Sequence, residues 1–215
     1  MVSNAAVMSA HCCHHDPQPP SGQAPPPGYA RVLWIALAVN LLMFVVEIAA
    51  GLRSGSVSLL ADAIDFFGDA ANYGVSIAVL SMGVAWRAGS ALLKAASMAV
   101  FGVAVLGRSV WSGLQGIVPE PAPMGMVGLL ALAANIGVGV LLYRYRQGDA
   151  NMRSVWLCTR NDALGNLAVM AAALGVFGTG SAAPDLLVAC AMAGLALTAA
   201  WSVTRQASGE LRAAR

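Results

Sequence analysis

The sequence predicts an all-α protein, a bundle of six transmembrane helices. Three observations carry that prediction. Of 215 residues, 58% are apolar and 10% charged, with a mean hydropathy of +0.70, whereas a soluble domain is about 25% charged. The apolar residues gather into six segments, each near the roughly 20 residues that span a bilayer. No segment alternates apolar and polar residues as a half-buried strand would.

Residues 1–29 come first and read as a cytoplasmic tail. They lack the charged start and apolar core of a cleavable signal. They hold HCCHHD (His11–Asp16), then PQPPSGQAPPPG, an extended proline-rich linker. The transmembrane region is expected over 30–205. Its first segment is about Ala30–Leu52, and the turn RSGS (Arg53–Ser56) leads into the second, about Val57–Gly83. The third, about Gly89–Gln115, stops before the proline breaker PEPAP. The fourth is about Met124–Tyr145, the fifth about Asn151–Gly178 and the sixth about Pro184–Arg205, leaving 206–215 as a short cytoplasmic tail. Gly102, Gly128, Gly137 and Gly165 are expected where helices approach closely. Tyr143, Tyr145 and Trp86 are expected at the membrane interfaces.

Charge sets the orientation and excludes some partners. With the N-terminus inside, the cytoplasmic side carries Arg31, Arg87, Arg144, Arg146, Arg153, Arg205, Arg212 and Arg215, against Arg53 and Arg108 outside. Both termini should therefore be cytoplasmic. The net charge of +2, with basic residues scattered, gives no footprint for nucleic acid. Four cysteines, at 12, 13, 158 and 190, are too few and too oddly placed for a disulfide framework.

The second segment contains LLADAIDFFGDAANYG, with Asp62, Asp65 and Asp69 at i, i+3 and i+7. A helical period puts all three on one face. A carboxylate at mid-bilayer costs roughly 2.5–3.5 kcal/mol on insertion scales, so such residues mark function by default. The bland alternative is pairing with Lys94, Arg108 or Arg160. The fifth segment adds WLCTRNDALGN, where Cys158 and Asp162 share a face at i, i+4. Counting about 1.5 Å per residue from the segment ends brings Asp69 level with Cys158, and Asp65 level with Asp162.

Three oxygen ligands and one thiolate suit zinc or a cadmium-like ion, and disfavour magnesium and calcium, which take oxygen alone. The ligands carry more negative charge than one divalent ion neutralises. The empty site should then take up protons, and metal binding should release them. That is the physical core of metal/proton antiport. His11, Cys12, Cys13, His14 and His15 form a second, looser candidate metal site in the tail. Asn40, Glu47, Asn72 and Asn166 are expected to hydrogen-bond between helices, Cys190 and the methionines to pack, and Asp185 to suit the N-terminal dipole of the sixth helix.

The block NLLMFVVEIAAGLRSGSVSLLADAIDFFGD (Asn40–Asp69) resembles the first two helices of the cation diffusion facilitator (cation efflux) family of metal exporters. The shared features are an Asn and a Glu in helix 1, a Gly- and Ser-rich turn, and LLADA followed by an acid or His with an Asp four residues later. NDALGN (Asn161–Asn166) resembles the helix-5 signature, and PDLLVACAMAG (Pro184–Gly194) the start of helix 6. The resemblance covers about residues 30–205. It implies a secondary transporter rather than an enzyme, in a bacterial-type inner membrane, with a transport site of Asp65, Asp69, Cys158 and Asp162. Its partners would be a divalent metal ion, zinc first, with protons and membrane lipid, and no cofactor beyond the transported ion.

The sequence departs from the family at Cys158, where members carry His or Asp, and at Asp65, where many carry His. Asp62 matches a position that is usually not a ligand. Most members continue into a cytoplasmic domain after helix 6. This chain is expected to be a short member lacking it, which leaves only the transmembrane helices for a homodimer. Two rivals remain on the residues alone. A non-transporting sensor or scaffold could be built on the same helices. A CDP-alcohol phosphotransferase would need an Asp-x-x-Asp-Gly-x-x-Ala-Arg pattern, and Phe66 follows Asp65 here.

Overall fold

The structure, a computed structural model, describes residues 27–78, 84–145 and 150–213; the side chains of 84–91, 94, 150–158, 160, 161, 206 and 210–213 lie outside that description. Among the described residues there are six helices and no strand: α1 (Tyr29–Ser54), α2 (Val57–Ala78), α3 (Val84–Gln115), α4 (Pro121–Tyr143), α5 (Ala150–Thr179) and α6 (Ala183–Ala213). The membrane bundle expected from the sequence is therefore the fold. Stretches of five of these helices are long and apolar enough to cross a membrane. The sixth, α2, has 22 residues, about 33 Å at the helical rise, but its three aspartates lower its hydropathy.

Of the boundaries that differ, two do so for identifiable reasons. PEPAP was expected to stand outside the fourth helix, yet Pro121 opens α4. Proline lacks only an N–H that the first turn would leave unpaired anyway, so it breaks a helix in the interior and not at its start. At the other end α6 runs eight residues past Arg205. The limit of the sixth segment was set by hydropathy, while the residues beyond it, QASGELRA, are mostly good helix formers.

The centre of the bundle is α2, which packs against α1, α3, α5 and α6. It buries Leu59, Ala61, Ile64 and Phe66 beside its acids. Around it, α1 also packs on α4, α4 on α5, and α6 on α3 and α5. Phe44, Phe67 and Phe101 join α1, α2 and α3 through ring contacts 5.6–6.2 Å between centroids, spacings that favour tilted and edge-on aromatic pairs. Leu42, Val100, Leu174, Phe177 and Trp201 point outwards and are exposed, as side chains facing lipid must be.

Close approach falls at three of the four expected glycines. A Cβ on Gly102 would stand 3.1 Å from Leu197 of α6, and one on Gly128 3.2 Å from Met170 of α5. Gly165 lies against α2 and Met192. Gly137 is the exception, with nothing within 4 Å. Tyr145 also departs from expectation: Tyr143 is exposed, but Tyr145 is buried against Tyr29, 5.1 Å between ring centroids. Trp86 lies among the side chains outside the description. Cys190, expected to pack, is an exposed free thiol.

The α1–α2 turn shows a role for Asp185 that differs from the expected one. Gly55 ends α1 with φ +74°, a left-handed conformation that glycine adopts without penalty. Ser56 then caps α2, its Oγ accepting from Leu59 N at 3.2 Å. Asp185 sits in the first turn of α6 but reaches across to α2. Its Oδ2 accepts from Val57 N at 2.8 Å, and its Oδ1 from Ser58 N at 3.1 Å and from the Ser56 and Ser58 hydroxyls at 2.7 Å each. One fully buried carboxylate thus satisfies the orphan N–H groups of a neighbouring helix. The serine-rich turn is the receptor for that carboxylate.

Removing this acceptor leaves buried donors unpaired. Asp185→Ala should destabilise the detergent-solubilised protein by about 2–4 kcal/mol, lowering its thermal midpoint by roughly 4–10 °C. An unchanged midpoint would refute the cross-helix cap. For the glycines, Gly102→Leu should sharply reduce the folded, membrane-inserted yield while Gly137→Leu leaves it unchanged. Size-exclusion profiles of the two variants make the comparison, and equal yields would contradict the packing described.

Candidate metal centre

The acidic face of α2 forms as the spacing requires. Asp62 and Asp69 are buried and Asp65 is half-buried. The same face continues through Asn72, Tyr73 and Ser76, all buried. Nothing in VSLLADAIDFFGDAANYGVSIA interrupts a helix: it has no proline, its single β-branched residues are separated, and Ser56 and Asp185 hold its start.

The stripe faces α5. If Gly165 carried a Cβ, it would lie 3.8 Å from Asp62 Oδ1 and 4.0 Å from Asp65 Oδ2, with Met192 Cε of α6 at 3.6 Å. The missing side chain at 165 leaves the space that two carboxylates approach. One to two turns further along α2, the Tyr73 hydroxyl donates to Asp69 Oδ2 at 3.1 Å and shares a 2.7 Å hydrogen bond with Thr159 Oγ1 on α5. Tyr73 also lies within electrostatic reach of Asp162. Asp65 interacts electrostatically with both Asp62 and Asp69.

The three described acids of the expected site, Asp65, Asp69 and Asp162, are thus brought to one helix pair but not into one shell. Among the described residues, no three Asp, Glu, His or Cys side chains are grouped closely enough to hold an ion. Asp65 faces Gly165, three residues beyond Asp162, and Thr159, the neighbour of Cys158 in the chain, meets the Asp69 end through Tyr73. Cys158 and Arg160 lie in α5 and Lys94 in α3, all three with side chains outside the described residues. The tail site of His11, Cys12, Cys13, His14 and His15 is outside them altogether.

A second group of buried polar atoms lies toward α1. Glu47 is fully buried and interacts with Asp62 and, at longer reach, Asp65. Neither Glu47 oxygen nor Asp62 Oδ2 has a hydrogen-bond partner satisfying ordinary geometry. Asn40 does not bridge helices as expected, since its Nδ2 donates to Ala36 O of its own helix at 2.8 Å. Asn166 is buried with both amide atoms unpartnered. Between α4 and α5 there is a cavity of about 270 Å³ whose walls include Asn135, Tyr143, Thr159 and Ala163.

Two residues of this centre escaped sequence reasoning, Tyr73 and Thr159. Their signal was present: Tyr73 stands at i+4 from Asp69, and Thr159 at i−3 from Asp162. Neither side chain carries a charge, so neither stands out in an apolar segment as a carboxylate does.

Known proteins share this arrangement of sequence. The protein named zinc transporter ZitB in Pectobacterium atrosepticum is 28% identical over 199 residues, 86% of this chain and 62% of that protein. Its namesake in Escherichia coli K12 is 28% identical over 206 residues, 89% and 65% of the two chains. That of Yersinia pestis is 26% identical over 197 residues, 85% and 62%. The chain therefore spans somewhat less than two thirds of the length of these relatives. The family model of the cation efflux transmembrane domain matches residues 33–211, nearly the whole of the six-helix bundle. The chain belongs to the cation efflux family, the cation diffusion facilitators.

Proposed function

We propose that the chain carries divalent transition-metal cations, zinc and cadmium-like ions, across a bacterial-type inner membrane, exporting them from the cytosol in exchange for protons. One observation supports this above the others: the buried acids of α2 converge on α5, with Asp62 and Asp65 at Gly165 and Asp69 tied to Thr159. Buried carboxylates at membrane depth need a counter-charge, and a divalent ion or protons supply it in turn. The zinc-transporter names of the relatives favour zinc as the cargo.

In this reading Asp65, Asp69, Asp162 and Cys158 form the transport site once α2 and α5 adjust, and Asp62 supports them from the next turn. Three carboxylates carry more negative charge than one divalent ion cancels. Each ion bound therefore displaces protons, and each ion released allows them back. The sign follows. Acid on the side that loads metal weakens loading, and acid on the side that unloads it promotes release. The tail cluster His11–His15 gathers ions before they enter, both termini face the cytosol, and a homodimer forms through the transmembrane helices.

Asp65→Asn and Asp162→Asn each remove a charge with little change of volume. Each should abolish zinc tolerance conferred on a metal-sensitive bacterial host while the protein stays at wild-type abundance in the membrane. Tolerance retained in full would rule out the site. In proteoliposomes, uptake of zinc should accelerate when the lumen is more acidic than the medium and slow when the gradient is reversed. In the same assay Cys158→His should reorder the preference among zinc, cadmium and other divalent ions. Indifference to the gradient would exclude proton exchange, and an unaltered order would remove Cys158 from the shell.

A further inference from the structure

We propose that Tyr73 is a positioning residue for the transported cation: its phenol holds the Asp69 carboxylate and fastens α2 to α5, and an arriving ion must displace it. The proposal rests on the transport reading above and adds to it a group that competes with the ion. Tyr73 carries a single hydroxyl proton, which goes to Asp69 Oδ2 at 3.1 Å. The Thr159 hydroxyl then supplies the proton of the 2.7 Å bond to the Tyr73 oxygen. The result is a chain from Thr159 to Tyr73 to Asp69 that crosses from one helix to the other.

All three residues are buried, Tyr73 and Thr159 almost completely. Water is not at hand to replace the bond, and a hydrogen bond to a carboxylate in such surroundings is stronger than its counterpart in water. Tyr73 is also within electrostatic reach of Asp162. A cation taken up by Asp69 therefore competes with the phenol for the same carboxylate. The release of the clamp has room. Thr159 lines the cavity of about 270 Å³ between α4 and α5, and Asn135 on the same wall is buried with Oδ1 unpartnered.

A clamp of this kind favours the empty site. It weakens ion capture and speeds ion release, because the phenol takes back the carboxylate as the metal leaves. Removing the hydroxyl should therefore move two quantities in the same direction.

The test uses full-length protein. Tyr73→Phe keeps the ring and deletes the hydroxyl, and Thr159→Val deletes the partner hydroxyl from the other helix. Zinc binding is measured by titration calorimetry in detergent, and zinc uptake in proteoliposomes. Tyr73→Phe should lower the zinc dissociation constant and the KM by roughly tenfold, the size expected for one lost hydrogen bond to a charged group, and should lower the maximal rate as well. Thr159→Val should shift both in the same sense by less. It also serves as the test if Tyr73→Phe does not fold. Unchanged or weaker zinc binding in a folded variant overturns the proposal, and so does a lower maximal rate with KM unmoved, which a merely structural tyrosine would give. If wild-type protein binds zinc no better than Asp65→Asn does, the transport reading itself fails and the clamp falls with it.

Discussion

A helix that carries three aspartates through a bilayer cannot face lipid, and the architecture follows from that constraint. Lipid offers no hydrogen bonds and no counter-charge, so α2 has to be wrapped by other helices. It packs against α1, α3, α5 and α6, and 14 of its 22 residues are buried. The outer helices can be apolar on nearly every side, because their outward faces meet hydrocarbon. Their inward faces use small residues: Gly102 and Gly128 admit Leu197 and Met170 at contact distances that a larger side chain would close. In α5, Gly165 leaves space where the acids of α2 approach.

The acids of the bundle divide into two kinds by their partners. Asp185 accepts four hydrogen bonds from one turn of backbone and its two serines. It is a structural carboxylate, fixed and fully paired. Glu47 and Asp62 are equally buried and interact with each other, yet neither Glu47 oxygen nor Asp62 Oδ2 makes a hydrogen bond of ordinary geometry. A buried carboxylate without donors is costly in a fold that has nothing to do with it. Here such groups occur next to the face that the bundle turns toward α5. The contrast separates a carboxylate that holds two helices together from acids whose burial no well-formed hydrogen bond offsets.

Much of this was legible in the sequence. The helix count followed from hydropathy, the shared face of Asp62, Asp65 and Asp69 from their spacing, and the pairing of α2 with α5 from where the polar residues sit in two otherwise apolar segments. What was not legible depended on contacts between distant parts of the chain. Asp185 looks like an ordinary first-turn acid until α6 is seen to lie beside the start of α2. The contacts between α2 and α5 depend on how the two helices tilt and pack, which a count along each segment does not contain. Tyr73 reads as one more bulky residue in a membrane helix, and only the third dimension sets its hydroxyl between Asp69 and Thr159.

The cap by Asp185 has a mechanical consequence. It ties the start of α6 to the start of α2, through bonds that involve backbone as well as side chains. Those two helix ends cannot slide apart without exposing several buried polar groups together. Any rocking that α2 undergoes is then confined to the opposite end, and the serine-rich corner becomes a fulcrum. The lever arm lengthens away from it, so a small tilt there grows into a larger displacement at Tyr73 than at Asp62.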